Sequence, residues 1–496
     1  MEIFLWYSIL LGALFACALL TAYILNRWST TLFYYRKYIH YPQIHKYFRG
    51  AVKTTGSDAI SILAVWIVNA LCVGVGVKDR TSLMKRSGLM AIANMIPLAL
   101  GSRTGFIAYL FGIDPELYRR AHNWIGRISI IEGVLHSALA ASSNGTWSRN
   151  AVSLVALVAL SGIALGSIPF ALTYFYEIFA KFHLMLAITL IVAIWRHLAP
   201  SSLLRPPKLY VFLTTCLWAS NCLLQCMHMA YRNIKYGSSK VLRCSASIEA
   251  VTDAVLVEVK LARTWEFEAG QFVYLRLPEV SRTAFMQAHP FFVSWWDRDT
   301  LSLLIEPRRG FTGSLQLYAK EERTKKADLI AIIDGPYGKE LDLTKFETVL
   351  LFATGIGIAG QLSYLKRLME IKDRRATSIK RISLYWEMEY AEHQNWVLKK
   401  INSLLEKDRK YILKIEFYIR HSHRSDTIPI GKHGLLYENH KEMDSRSLVK
   451  DEMARNKGQM VVSLCVRNKV ADTLRSTVAE CMDRGVELVE LDFRPT

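Results

Sequence analysis

The sequence predicts a multi-pass α-helical membrane bundle of about seven spans, followed by a water-exposed half in which strands and helices alternate. Two observations carry this. Apolar runs of spanning length fill residues 1–230, and none follows Lys240. The charge divides at the same point: residues 1–240 hold 22 Lys and Arg against 7 Asp and Glu, and residues 241–496 hold 40 against 36. A chain of 496 residues that is 51% hydrophobic is too long and too apolar for one soluble domain.

The expected spans are Ile3–Leu25, Asp58–Val77, Gly88–Phe111, Ala121–Ala141, Ala151–Ala171, Ile178–Leu198 and Tyr210–Ala230. Each approaches the ~20 residues a helix needs to cross the hydrocarbon core. The first lacks a basic n-region and a small-x-small cleavage site, so it reads as a retained anchor, not a cleaved signal. Basic loops after the first span (Arg27 to Lys53), before the fourth (Arg119, Arg120) and after the seventh (Arg232 to Arg243) place the N-terminus outside and the C-terminal half in the cytosol. The loop carrying Lys78, Arg80, Lys85 and Arg86 runs against that rule. The basic excess sits in the membrane half, so it speaks for lipid contact and against nucleic acid. Eight cysteines, in or beside spans or in the half placed in the reducing cytosol, speak against a disulfide framework, and the lack of a CxxC pair speaks against a zinc site.

Four histidines give the sharpest signal. RAHNWIGRISIIEGVLH places His122 and His136 fourteen residues apart, and FHLMLAITLIVAIWRH repeats that spacing with His183 and His197. Fourteen residues come within ~40° of whole helical turns and rise about 21 Å. Each helix therefore shows two imidazoles on one face, one near each membrane surface. That pattern predicts two stacked haems, each held by two neutral imidazoles: His122 with His183 inside, His136 with His197 outside. Trp124, Trp195, Arg103, Arg127 and Glu132 are secondary candidates for packing, propionate contact or orientation of an imidazole.

The second half carries short motifs in a fixed order: AGQFVYLRLP, HPFFVSWW, EPRRGFTGSLQ, DGPYG and VLLFATGIGIAGQLSYLKRL. The last is a buried strand, a Gly-rich turn and an amphipathic helix. Such a turn sets backbone N–H groups and a helix N-terminus against a pyrophosphate.

In this order the motifs resemble the ferredoxin-reductase type of flavoprotein, an FAD-binding β-barrel followed by a nucleotide-binding α/β domain. Joined to the four-histidine bundle, the chain resembles the ferric reductase and NADPH oxidase superfamily, and within it the fungal ferric-chelate reductases. The resemblance implies four segments: 1–56, a span and basic loop; 57–235, the haem domain; 240–342, the FAD barrel; and 345–496, the NAD(P) domain, with a polar insertion near 425–460 read as a loop. It implies an FAD site at His289, Pro290, Phe291, Phe292 and Val293, with Gly310, Phe311 and Thr312 near the phosphates and Arg308 or Arg309 as a charge partner. DGPYG would lie at the cleft between FAD and NADPH. It implies an NADPH site at Gly355, Ile356, Gly357, Ile358, Ala359 and Gly360, with Cys465 on the nicotinamide side and Phe493 shielding the flavin.

Several positions depart from the family pattern. Phe292 replaces a Ser or Thr, Thr354 replaces a Gly, Ala359-Gly360 replaces a Thr-Pro, and only Cys465 or Ser463 remains as a candidate at a Cys-Gly-Pro segment. Glu387 and Glu389 stand where relatives often carry a 2′-phosphate-selecting Arg, leaving Arg420, His423 and Arg424 as candidates.

The resemblance implies electron transfer from cytosolic NADPH through FAD and two b-type haems to ferric chelates across the plasma membrane or an internal one. No catalytic residue beyond the cofactor sites is implied. Two other readings stand beside it: a superoxide-producing NADPH oxidase, and a haem-bearing subunit with a degenerate flavin half.

Overall fold

The computed structural model of the protein describes residues 34–40, 55–101, 115–142, 151–198, 202–237, 241–282, 284–321, 328–374, 377–421, 427–430, 434–455 and 458–491, with isolated positions 12, 16, 20, 106, 110 and 111. The expected span Ile3–Leu25 lies almost wholly outside them, as do Arg103, His423, Arg424 and Phe493. The chain forms two units, residues 1–226 and 227–496.

The first unit is helical. Its helices are α1 (Gly56–Gly74), α2 (Arg80–Leu98), α3 (Pro115–Ala141), α4 (Ala151–Gly166), α5 (Pro169–His197) and α6 (Lys208–Asn233), the last running into the second unit. Among the described residues, three helical stretches are long and apolar enough to cross a membrane: Gly56–Gly74, Ile178–His197 and Lys208–Asn233. Helices α2 and α3 fall outside that group because they carry charged residues, Arg80, Lys85 and Arg86 on α2 and Arg119, Arg120 and Arg127 on α3; their buried polar residues meet inside the bundle. The Asn94 amide donates to Asn69 of α1 at 2.9 Å and to Glu132 of α3 at 2.8 Å. All three are buried.

Helix starts follow capping chemistry. Thr55 and Asp58 form a reciprocal capping box at α1, and the Asp58 carboxylate also accepts from Arg120 of α3 at 2.6 Å. Asp79 and Ser82 form the same box at α2. The basic stretch read as a loop is thus largely helix: Arg80, Lys85 and Arg86 lie in the first two turns of α2. The expected span Ala151–Ala171 divides, with α4 ending at Gly166 and Pro169 opening α5 at a helix-compatible first position.

The second unit holds two seven-stranded sheets. The first has strands β3 (Ser245–Val251), β4 (Ala254–Lys260), β5 (Phe272–Arg276), β6 (His289–Trp296), β7 (Thr300–Ile305), β8 (Leu329–Ile330) and β9 (Ile332–Tyr337) in the order β8-β3-β4-β7-β6-β5-β9. A two-stranded ribbon, β1 (Ile234–Tyr236) with β2 (Val241–Arg243), precedes it, and helix α7 (Phe311–Glu321) follows β7. Every pairing in this sheet is antiparallel, and Val255, Val257, Val273, Leu275, Leu301 and Leu303 fill its core.

Asn233 joins the end of α6 to this sheet. Its side chain accepts from the Ile333 N–H at 2.7 Å and donates to the Ile333 carbonyl at 2.6 Å. Asn233→Ala leaves both backbone groups of a buried strand unpaired. The expected cost is roughly 2–4 kcal/mol, read as an earlier thermal unfolding transition of the purified chain. An unchanged transition would overturn this role.

The second sheet holds β10 (Thr348–Thr354), β11 (Arg381–Met388), β12 (Leu413–Ile419), β13 (Thr427–Ile430), β14 (Leu436–Asn439), β15 (Met460–Cys465) and β16 (Val486–Glu490), ordered β13-β14-β12-β11-β10-β15-β16. Helices α8 (Ile358–Arg374), α9 (Leu398–Lys407), α10 (Ser445–Arg455) and α11 (Asn468–Cys481) connect it. All pairings but β13–β14 are parallel. Strand β10 is buried throughout, as a strand covered on both faces must be, and reads as one apolar run. Strand succession moves outward from β10 through β11 to β12, then returns to β15 on its other side. The carboxyl ends of β10 and β15 therefore flank the topological switch point.

The segment expected as an inserted loop near 425–460 is part of this sheet. Strand β14 pairs parallel with β12, β13 closes the edge antiparallel to β14, and α10 buries Val449. Strand β13 is short and alternates exposed with half-buried positions, so its sequence lacks a strong periodic signal.

Candidate functional site

The structure pairs the four histidines in the same order along both helices. The rings of His122 on α3 and His183 on α5 lie 6.2 Å apart between centroids, inclined at 62°. His197 of α5 lies within electrostatic reach of His136 of α3. First meets first and second meets second, so α3 and α5 run in the same direction past one another.

Their surroundings suit metal ligation. Two imidazoles on one metal, each bonded at about 2 Å, put their ring centres roughly 6 Å apart. The Nδ1 atoms of His122 and His183 are buried and make no hydrogen bond within the described residues. His136 Nδ1 lies 2.8 Å from the Met84 carbonyl. A carbonyl only accepts, so Nδ1 carries the proton and Nε2 keeps the lone pair a metal needs. His197 Nδ1 is held by the Ser153 hydroxyl at 3.2 Å. Gly88 of α2 makes room for the His136 ring: a Cβ there would fall 2.7 Å from Nδ1.

The secondary candidates divide. The Arg127 guanidinium lies 4.5 Å over the Trp124 ring, and Trp195 donates to Thr215 at 3.3 Å. Glu132 faces Asn94 in the polar seam.

In the second unit the structure joins two of the expected FAD segments. His289, which opens β6, stacks on Phe311, which opens α7, at 4.8 Å and 14°. Gly310 enters α7 with φ +79°, and the Arg308 N–H donates to the Thr312 hydroxyl at 2.8 Å. This ordered helix N-terminus is a donor set suited to a phosphate. Arg308 itself pairs with Glu306 at 2.8 Å. The DGPYG turn packs its Tyr337 on Phe272 and Tyr274 of β5, and the Tyr337 hydroxyl donates to Asp334 at 2.7 Å.

The Gly-rich turn follows β10 as a short 3₁₀ segment, Gly355–Gly357, leading into α8. Gly355 has φ +50° and open space where a Cβ would stand, which gives a clear cradle ahead of a helix N-terminus. Ile358 and Ala359 are buried in the core. Phe292, Gly360 and Cys465 converge: a Cβ on Gly360 would meet Cys465 Sγ and Phe292 Cδ2, each at 3.6 Å. The expected flavin and nicotinamide segments thus meet at one point. Gly270 N–H donates to Ser363 at 3.0 Å and Leu341 N–H to the Tyr364 hydroxyl at 3.0 Å, joining the two sheets further. Burial pushes the ionisation of Tyr364 well above the usual tyrosine range.

One group escaped the sequence reading. Arg467, just beyond β15, has its N–H bonded to the Thr354 hydroxyl at 2.8 Å and its guanidinium on Glu387 at the end of β11. The residue occupies a position of the degraded Cys-Gly-Pro segment, and only the sheet order reveals its partner.

Three family models match the chain in series: a ferric reductase like transmembrane component over residues 87–194, an FAD-binding domain over 240–341, and a ferric reductase NAD binding domain over 346–482. The relatives include the "Probable cell surface ferric reductase kap2" of Aspergillus oryzae, 28% identical over 63% of this chain and 44% of that protein. The "Ferric/cupric reductase transmembrane component 2" of Saccharomyces cerevisiae is 26% identical over 57% of this chain and 40% of its own length. The chain thus spans less than half the length of these two relatives. Among solved structures, a flavohemoglobin from Malassezia yamatoensis matches with TM-score 0.39 and 13% identity, over 84% of this chain and 99% of that one. The chain thus carries, in series, a ferric-reductase-like membrane domain, an FAD-binding domain and a ferric reductase NAD-binding domain.

Proposed function

We propose that this protein is an NAD(P)H-dependent ferric-chelate reductase that carries electrons across a membrane. The matched imidazole pairs on α3 and α5 are the observation that carries this reading. His122 and His183 would hold one b-type haem near the cytosolic face. His136 and His197 would hold the second near the opposite face, with the Met84 carbonyl fixing the tautomer of His136 and the Ser153 hydroxyl steadying the His197 ring. His289 to Val293 and Gly310 to Thr312 would hold FAD. Gly355 to Gly360 would hold the dinucleotide pyrophosphate, and Cys465 would face the nicotinamide. Bound there, these groups supply hydride acceptance and its division into single-electron steps along the membrane normal. The chain's own work is ligation, separation and exclusion of water. The bundle supplies the apolar walls; the convergence of Phe292, Gly360 and Cys465 supplies the contact point between nucleotide and flavin.

The topology that fits has seven spans, an external N-terminus and a cytosolic second unit. The basic loops support that orientation, and the name of the Aspergillus relative supports the cell surface as the membrane. Ferric chelates are the acceptor suggested by the relatives' names.

An absorption spectrum of the purified full chain, before and after NADPH and NADH, tests this. Low-spin haem bands, flavin absorbance and reduction of both by a nicotinamide dinucleotide are expected. Reduced iron should then form from a ferric chelate in the absence of oxygen. A protein without haem, or with haem that neither dinucleotide reduces, would sink the reading. Superoxide formation without iron reduction would reassign the acceptor.

A further inference from the structure

One peptide of the Gly-rich turn has its direction set by a side chain. The Gly355 carbonyl accepts from the Trp386 indole N–H at 2.9 Å and from the Ile358 N–H. The Ile358 N–H is shared with the Ile356 carbonyl, so the indole is the undivided donor. Trp386 lies in β11, the strand beside β10, and is wholly buried. A trans peptide carries its C=O and N–H on opposite sides, so a carbonyl drawn to Trp386 sends the Ile356 N–H away from it. Little else holds that direction. Gly355 has φ +50°, and a Cβ there would meet nothing within 4 Å. A glycine in open space lets its flanking peptide rotate without steric cost. A rotated peptide would turn a carbonyl toward an arriving phosphate, where an N–H is needed.

The indole is itself seated by other rings, and these lead out to the first sheet. Trp386 meets Phe417 of β12 edge-on at 5.4 Å and lies 5.9 Å from Trp396. Trp396 donates its own indole N–H to the Thr252 carbonyl at 2.6 Å. Thr252 and Asp253 form the tip of the β3–β4 hairpin, between the paired Val251 and Ala254. His393 stacks on Trp396 at 4.5 Å and 21°, and its Nε2 lies 3.1 Å from the Asp253 carboxylate. His393 and Trp396 are both buried. A continuous series of contacts thus runs from Asp253 through His393, Trp396 and Trp386 to the Gly355 carbonyl. Aromatic packing of this kind resists displacement, because each ring moves only if its neighbours move.

We propose that Trp386 is a positioning residue that fixes the Gly355–Ile356 peptide with its N–H available to the dinucleotide pyrophosphate, and that the β3–β4 hairpin keeps Trp386 seated. The inference rests on the nucleotide-site reading above and names what sets the turn from behind. Trp386 acts through the Gly355 carbonyl, and the hairpin acts through Trp396 and His393. The two sheets are then coupled: a residue at the rim of the first bears on pyrophosphate affinity in the second.

The test uses the full chain in detergent and two probes, ADP and adenosine. Affinities come from calorimetry, with adenosine read by displacement of ADP. ADP carries the pyrophosphate and adenosine does not, so the ratio of the two affinities isolates the turn. Wild type should bind ADP tighter than adenosine by roughly tenfold or more. Trp386→Phe keeps an aromatic ring and removes the donor. It should cut the ratio about tenfold, with adenosine affinity and flavin content held. Asp253→Gly suits the φ of +53° there and removes the carboxylate. It should cut the ratio about threefold. Asp253→Asn retains a hydrogen-bonding group for His393 and should keep the wild-type ratio. The Asp253 side chain is 63% exposed, so its variants read the proposal even where Trp386→Phe fails to fold. A ratio unchanged in Trp386→Phe or in Asp253→Gly, or an equal loss of both probes, overturns the inference. Failure of ADP to bind wild type strikes instead at the nucleotide site itself.

Discussion

His122→Ala or His183→Ala is expected to remove one haem of two, with about half the low-spin Soret absorbance and half the porphyrin content lost. The two rings face one another at 6.2 Å, and neither Nδ1 has a protein partner within the described residues. On the proposed reading the two rings share one haem iron, and losing either one leaves a single imidazole to hold the group. The remaining pair, His136 and His197, is hydrogen-bonded by other residues and should keep its own haem. Added imidazole should restore part of the lost absorbance by filling the vacated space. Porphyrin stoichiometry unchanged in either variant would exclude the pairing, and with it the path across the membrane.

Gly88→Ala is expected to empty the other position while sparing the first. The added methyl would fall 2.7 Å from His136 Nδ1 and 3.0 Å from Cε1, well inside contact distance. The ring must swing away, breaking the 2.8 Å bond to the Met84 carbonyl that fixes its tautomer. Overpacking of this kind costs about 1–3 kcal/mol, and here it falls directly on a ligand. Gly74→Ala is the control, because a Cβ there meets nothing within 4 Å. Haem content by pyridine haemochrome should fall by about half in Gly88→Ala and stay at the wild-type level in Gly74→Ala. If both variants match wild type, Gly88 is not what seats His136.

The helical segments were largely legible because hydrophobicity and helical period act within a few turns. Six of the seven expected spans overlap helices α1 to α6, although Gly88–Phe111 is met by a helix that starts at Arg80 and ends at Leu98, Ala151–Ala171 breaks at Gly166, and among the described residues three stretches meet the length and hydropathy of a lone span. Much of the polarity of α2 and α3 is basic and outside the core, but the buried Asn69–Asn94–Glu132 seam has a tertiary origin, its three members lying far apart in sequence. The same limit hid the ion pair of Glu387, whose partner Arg467 stands eighty residues onward. Gly88 carried no signal either, since a small residue means close approach only once the neighbour is known. The edge strand β13 and its neighbour β14 were lost for a local reason: four residues each, at most half-buried in β13 and mixed with polar residues in β14, give no apolar run to read. By contrast, the Gly355 turn and the His289 and Phe311 segments were visible because strand, turn and helix signals fall in unbroken succession.

The paired histidines also restrict how this sequence can drift. Residues 123–135 and 184–196 act as spacers of identical length on two aligned helices. Lipid-facing side chains along them can be exchanged for other apolar ones, while Glu132, held by Asn94, is tied to its seam. A single added or deleted residue, however, would rotate one downstream ring by about 100° and shift it about 1.5 Å along the axis, carrying it off the seam it shares with its mate. Variation in these stretches should therefore be confined to replacement, and a matched insertion in both would still fail, because each ring would turn away from the gap between the helices.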